Sequence, residues 1–180
     1  KRWPDGLSPF GFKVVEEMNK QGVMIDISHV SDAAFMKVLE LSRAPVVATH
    51  SSLRHFTPGW ERNVSDEMLI ALAENGGVIQ LCFGSDFVAN RKDNPDLEVS
   101  VKNVVDHIDR VRDLVGIDHV GFGSDFDGEV PLPDDINDVS KFPNLIEELL
   151  IRGYSESEID KILNGNILRV WKEVRSLADA

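Results

Sequence analysis

Residues 23–52 read VMIDISHVSDAAFMKVLELSRAPVVATHSS, and the fold is decided there. Val23-Met24-Ile25-Asp26-Ile27 is apolar almost throughout, the pattern of a strand buried on both faces of a parallel sheet. Ser31 then offers an N-cap, and Ala34, Phe35, Val38 and Leu39 form the inner stripe of a helix reaching Ser42. Pro45 introduces a second apolar run, Val46-Val47-Ala48-Thr49. A strand, a helix and a strand in this order imply parallel pairing with a right-handed crossover.

The same alternation extends in both directions. Upstream, Phe10, Val14, Val15 and Met18 share one face of a helix over 10–20 that Gly22 ends. Downstream, a loop over 51–64 precedes a helix starting at Ser65-Asp66-Glu67, where acidic side chains suit the helix dipole. Gly76-Gly77 closes it and a third strand spans 78–83. A polar loop over 89–98 leads to an amphipathic helix over 101–115, with Val104, Val105, Ile108, Val111 and Leu114 inward. A glycine-rich fourth strand follows at 119–123, then a loop over 125–138. Helices are expected at 142–152, 155–163 and 166–177, and Ser155 and Glu158 have capping-box spacing. The class is α/β, with about four parallel strands and C-terminal helices. Two architectures remain open: a doubly wound sheet of four strands, or half of a (β/α)8 barrel.

Composition removes several functions. The 180 residues are 42% hydrophobic and 28% charged, a globular balance. With 31 acidic against 19 basic residues, the net charge is -12. The basic surface that nucleic acid or an anionic membrane requires is therefore not expected. The single cysteine, Cys82, allows neither an internal disulfide nor a cysteine-based metal cluster. No apolar run approaches the ~18 residues of a membrane span, and no signal or anchor pattern stands out, including at 175–180, so a cytoplasmic location is expected. The sequence opens at Lys1-Arg2-Trp3 rather than at a methionine, as a processed chain or a piece of a longer one would.

In parallel α/β folds the chemistry sits at the C-terminal ends of the strands. Here those ends carry Ser28-His29, His50-Ser51-Ser52, Phe83-Gly84-Ser85-Asp86 and Ser124-Asp125-Phe126-Asp127. Imidazole and carboxylate groups converging from separate strands are the ligand types of Zn²⁺ and similar ions. His29 and His50 occupy equivalent positions on successive strands, which favours a shared metal over two unrelated hydrogen-bonding histidines. Asp125 adds a third strand end.

Other signals are weaker. Ser51-Ser52 lacks the Gly-x-Ser-x-Gly elbow of a nucleophilic serine. Gly121 and Gly123 lie inside a strand and open no dinucleotide loop; they are expected to admit another backbone or a ligand. His119 falls at the N-terminal end of its strand and reads as structural. The His107/Asp109 pair reads as a solvated helix face, and Asp134, Asp135 and Asp138 as solvated surface. His55 lies in the loop after His50, where it either faces the site or not. Arg62, in the same loop, suits a substrate carboxylate, with an exposed loop arginine as the equal alternative.

Several motifs together resemble the membrane dipeptidase (renal dipeptidase) family of metallopeptidases. They are the run 6–11 (GLSPFG) with 14–19, then Ile25-Asp26-Ile27-Ser28-His29-Val30-Ser31, Ala48-Thr49-His50-Ser51-Ser52, Arg62-Asn63-Val64 and 121–128 (GFGSDFDG). Phe142-Pro143 and the run 164–170 (NGNILRV) extend the resemblance over essentially the whole chain. It implies a TIM-type (β/α)8 barrel of the amidohydrolase kind, with two zinc ions bridged by a carboxylate and a hydroxide. It also implies that His29 and His50 hold one zinc and that Arg62 grips the substrate's terminal carboxylate. Asp125 would handle the proton of the bridging water, with its neighbour Asp127 as the alternative.

Nothing in the chain matches the family's His-x-Asp pair, its bridging Glu or its further substrate-binding His, all from the N-terminal half. Residues 1–180 are thus expected to form a single partial-barrel domain, the C-terminal half of a barrel that takes about 250 residues. The expected function is zinc-dependent hydrolysis of dipeptides, with this chain supplying part of the site. The alternative is a non-catalytic half-barrel that binds ligand without turnover or pairs with another chain. Unpaired sheet edges and an exposed apolar interior of a half barrel favour a homodimer or aggregation.

Overall fold

Three parallel strands lie side by side in chain order: β1 (Val47–Ser51), β2 (Val78–Leu81) and β3 (Val120–Phe122). The computed structural model describes residues 3–128 and 130–178. The opening Lys1-Arg2, the closing Asp179-Ala180 and Glu129 in the loop after the fourth expected strand lie outside them.

The connecting helices are α2 (Asp32–Leu41), α3 (Asp66–Glu74) and α5 (Val101–Val115), with α1 (Pro9–Gln21) ahead of them, the single turn α4 (Ser85–Val88) before α5, and α6 (Phe142–Ile151) and α7 (Glu156–Asp160) after it. Of these, α1 packs on α2, α2 on α3 and α3 on α5. Strands in sequential order under one continuous helix layer are the winding of a barrel segment. A doubly wound sheet would reverse its strand order and place helices on both faces. Serine side chains start these helices as their positions predict. Ser31 Oγ accepts from the Ala34 N–H, and Ser65 Oγ from the Met68 N–H.

The strand expected at 23–27 is reduced to a single parallel bridge between Asp26 and Val47. The Ile27 N–H donates to Val47 O at 2.8 Å, and the Val47 N–H donates to Ile25 O at 3.0 Å. The ladder stops because a side chain takes over the next donor: Asp26 Oδ1 accepts the Thr49 N–H at 3.1 Å. The sheet therefore has three strands among the described residues, with a fourth extended segment on its edge.

The helix-side core joins Val46, Ala48, Ile79, Leu81 and Phe83 to Leu69, Leu72, Val104, Ile108 and Val111. At the other end of the strands sits α8 (Asn166–Ser176). Its Val170 and Val174 pack on Ala44, Val47 and Val78. Asn166 donates to Ile117 O and Val120 O, and Arg169 to Gly76 O and Asp118 O. These contacts close the N-terminal end of the sheet and leave the C-terminal rim open. The sheet is also tightly curled. A Cβ on Gly123 would lie 1.9 Å from Thr49 O, so glycine there admits another backbone, as the sequence predicts.

His107 corrects the expectation of a solvated face. It is fully buried; its Nδ1 accepts the Leu53 N–H at 3.0 Å, and its Nε2–H donates to Val88 O at 3.1 Å. Burial pushes its pKa down to about 4. Asp109 is likewise engaged, accepting from Arg152 and from the Tyr154 hydroxyl. Asp135 caps α5, both oxygens accepting the Val101 N–H. His119 keeps its structural role by donating from Nδ1 to Gly77 O.

Candidate active site

His29 and Asp125 share an unusual backbone. Both have φ of 63°, and they are the only non-glycine residues with positive φ among those described. Such conformations cost roughly 1–3 kcal/mol each and persist where surrounding contacts enforce them. At His29 the enforcement is visible: Asp26 Oδ1 accepts the Ser28 N–H at 2.9 Å, turning the chain sharply. Ser28 Oγ then accepts the His50 N–H at 3.2 Å, tying this turn to β1.

The turn brings the two predicted histidines together at the rim. His29 Nε2 lies 2.8 Å from His50 Nε2. Behind His50, Nδ1 is 2.8 Å from Thr49 Oγ1, which lies 2.6 Å from Asp26 Oδ2. Burial works to raise the pKa of Asp26, but hydrogen bonds from Thr49 and Ser28 outweigh it and hold the carboxyl below its usual value.

Arg62 joins them from the loop after β1. That loop is anchored by the Leu53–Val64 bridge and by Arg54, which pairs through both terminal nitrogens with Asp32 on α2. Arg62 Nη1 donates to Ser51 Oγ at 3.0 Å and Nη2 to His50 O at 2.6 Å. Nη2 also lies 3.2 Å from His29 Nε2. The guanidinium rests over Phe87, 5.5 Å from the ring centroid, and its Nε is buried without a partner. The pKa of His29 is lowered by burial, then by the Arg62 and His50 charges, with Asp125 and Asp26 opposing.

Asp125 faces this cluster, its charge acting on both His29 and Arg62. The Cys82 thiol points at its Oδ2 across 3.8 Å, and burial pushes that thiol up to about 11. Gly128 makes room for the carboxylate: a Cβ there would lie 2.7 Å from Asp125 Oδ1. Asp127 is exposed. His55 is also exposed, with its ring edge-on to Phe56. The structure thus brings His29, His50 and Arg62 together, with the Asp125 charge felt by both His29 and Arg62, while the His55 ring packs on Phe56 and Asp127 is exposed. Sequence reasoning missed Asp26, Thr49 and Phe87. The available signal was a carboxylate inside an otherwise apolar strand.

Two imidazole nitrogens aimed at each other suit a zinc-type cation, which prefers such donors. Among the described residues no group of three or more His, Cys, Asp or Glu side chains is arranged to hold a metal. The described residues therefore offer two grouped donors, one fewer than a catalytic zinc normally takes from protein.

Comparison with known proteins gives the family. The family model for membrane dipeptidases, peptidase family M19, matches residues 2–180. Dipeptidase 3 of Rattus norvegicus is 40% identical over 174 residues, covering 97% of this chain and 34% of the relative. The probable dipeptidase PvdM from Pseudomonas aeruginosa superposes with a TM-score of 0.87 at 33% identity, over 96% of this chain and 56% of that one. A metallopeptidase from Rhodobacter sphaeroides, solved with a phosphinate mimic of the dipeptide L-Ala-D-Ala, also gives 0.87, at 35% identity. It is matched over 94% of this chain and 48% of its own. The chain spans about a third of the curated relative and about half of each solved structure.

Proposed function

We propose, from the premise that the chain belongs to the membrane dipeptidase family, peptidase family M19, that it supplies part of a zinc-dependent dipeptidase site. The observation that carries this is the convergence of His29 Nε2, His50 Nε2 and the Arg62 guanidinium within 3.2 Å at one rim. His29 and His50 would hold the metal, which when bound polarises a carbonyl and acidifies water. Arg62 orients the substrate by its terminal carboxylate, using the guanidinium hydrogens not spent on Ser51 and His50. Asp125 takes a proton from the attacking water and delivers it to the leaving amine, the work of a positioned carboxylate. The Cys82 thiol and the gap above Gly128 hold that carboxylate in place.

The test is zinc content. The purified chain should bind zinc, and His29→Ala should lower both occupancy and affinity; unchanged zinc in the variant overturns the assignment. With only two donors grouped among the described residues, a second reading stands beside the first. On that reading the chain binds dipeptides without turnover, alone or paired with another copy. Calorimetric binding of a dipeptide by the chain with no hydrolysis would favour it, and hydrolysis at the rate of a full-length relative would exclude it.

A further inference from the structure

We propose that Asp26 and Thr49 are positioning residues that lock His50 in the tautomer whose Nε2 lone pair is free. The inference deepens the reading above, because it rests on His29 and His50 holding a divalent cation, and it explains how the chain prepares them for it.

The argument is a count of protons. A threonine hydroxyl carries one hydrogen and can accept at its oxygen. Thr49 Oγ1 has two close partners, Asp26 Oδ2 at 2.6 Å and His50 Nδ1 at 2.8 Å. The Asp26 carboxylate has no hydrogen to give and accepts on both oxygens, its Oδ1 taking the Ser28 and Thr49 N–H groups. The hydroxyl hydrogen therefore goes to Asp26. Towards His50 the Thr49 oxygen has only a lone pair left, so Nδ1 must bring the hydrogen. A neutral imidazole has one N–H, and His50 Nε2 is consequently bare.

The bare Nε2 of His50 faces His29 Nε2 across 2.8 Å. Arg62 Nη2, which has no acceptor to offer, stands 3.2 Å from the same His29 nitrogen. The chain holds His50 there by backbone as well: one carboxylate binds both the N–H and the hydroxyl of Thr49. Partners behind a metal-binding histidine that fix its tautomer typically change metal affinity 10- to 100-fold when removed.

Asp26→Asn tests this with almost no change of shape. The amide oxygen still accepts the two backbone N–H groups, but the amide nitrogen now donates to Thr49. The hydroxyl then turns its hydrogen to His50 Nδ1, and Nε2 becomes the N–H. Long-range ¹H–¹⁵N correlation spectra of the metal-free chain, labelled at histidine, report the tautomer directly. The wild type should show His50 protonated at Nδ1, Asp26→Asn and Thr49→Val should shift it towards Nε2–H, and Thr49→Ser should restore it. Zinc and Co²⁺ affinity, measured by competition with a chelator, should fall 10- to 100-fold in Asp26→Asn and recover to within about threefold in Thr49→Ser. His50 protonated at Nε2 in the wild type overturns the proposal, as does a tautomer unmoved by Asp26→Asn. If the tautomer responds as described while His29→Ala leaves zinc binding unchanged, the relay stands and the cation reading it serves fails.

Discussion

Acid should loosen the loop that carries Arg62, and His107 sets the amount. Its imidazole is enclosed between α5, Leu53 and Val88, with both nitrogens used on backbone groups. Protonation would turn the Nδ1 acceptor into a donor facing the Leu53 N–H and bury a charge. The folded pKa accordingly lies near 4, against an ordinary 6.5. Because the folded value is depressed, the unfolded chain binds the extra proton between pH 6.5 and 4, so stability falls as pH falls. Each pH unit inside that window costs about 1.4 kcal/mol, giving roughly 2 to 3 kcal/mol between pH 7 and pH 4.5. Urea denaturation at the two pH values measures it, with His107→Asn as the control. Asparagine retains an acceptor for Leu53 and cannot titrate, so the variant should start less stable at pH 7 but lose much less on acidification. Parallel pH profiles for the two proteins would refute the reasoning. The consequence for the site follows from position: Leu53 opens the loop that ends at Arg62, and Val88 follows the Phe87 ring beneath its guanidinium.

Other substitutions test other parts of the structure. Gly123→Ala forces a Cβ to within 1.9 Å of Thr49 O and should cost at least the 1–3 kcal/mol typical of overpacking, read from denaturation midpoints. Gly128→Ala should displace the Asp125 carboxylate, whose atoms lie 2.7–2.9 Å from the added methyl. On the proposed function it lowers dipeptide turnover in the native protein while zinc content stays constant, and equal loss of both would contradict the role given to Asp125. Arg62→Lys keeps the charge but loses the fork that matches a carboxylate. It should weaken binding of free dipeptides about tenfold and leave C-terminally amidated ones unaffected. Arg152→Ala strips the cation from Asp106, Asp109 and Glu148, each 2.7–2.8 Å away. Partial exposure of Asp106 and Asp109 keeps the expected loss near ~2 kcal/mol, below that of a fully buried pair.

The parts of this molecule that were legible in the sequence are those where one side chain states its own environment. Apolar runs and helical stripes gave the parallel order, and histidines following two such runs gave the rim. What stayed hidden depends on pairs of residues far apart in the chain. Asp26 looked like an interruption of a strand. In three dimensions it replaces the strand's next hydrogen bond, turns the chain at His29 and reaches Thr49, 23 positions on. His107 looked solvated because it is polar, yet it lies three residues after Val104 and four before Val111, both inward. Its place at the edge of that stripe was readable, but the backbone groups that make burial tolerable, on Leu53 and Val88, were not. Both misreadings have one origin. Periodicity identifies which face of an element is apolar, whereas a buried polar group is permitted only by partners supplied from elsewhere, and here those partners hold the residues of the candidate site. Asp26 braces His29 and His50 from below, and His107 braces the loop of Arg62 from the side. The polar residues that break the apolar pattern are therefore the ones that connect fold to chemistry, and Asp26→Asn and His107→Asn perturb that connection at two independent points.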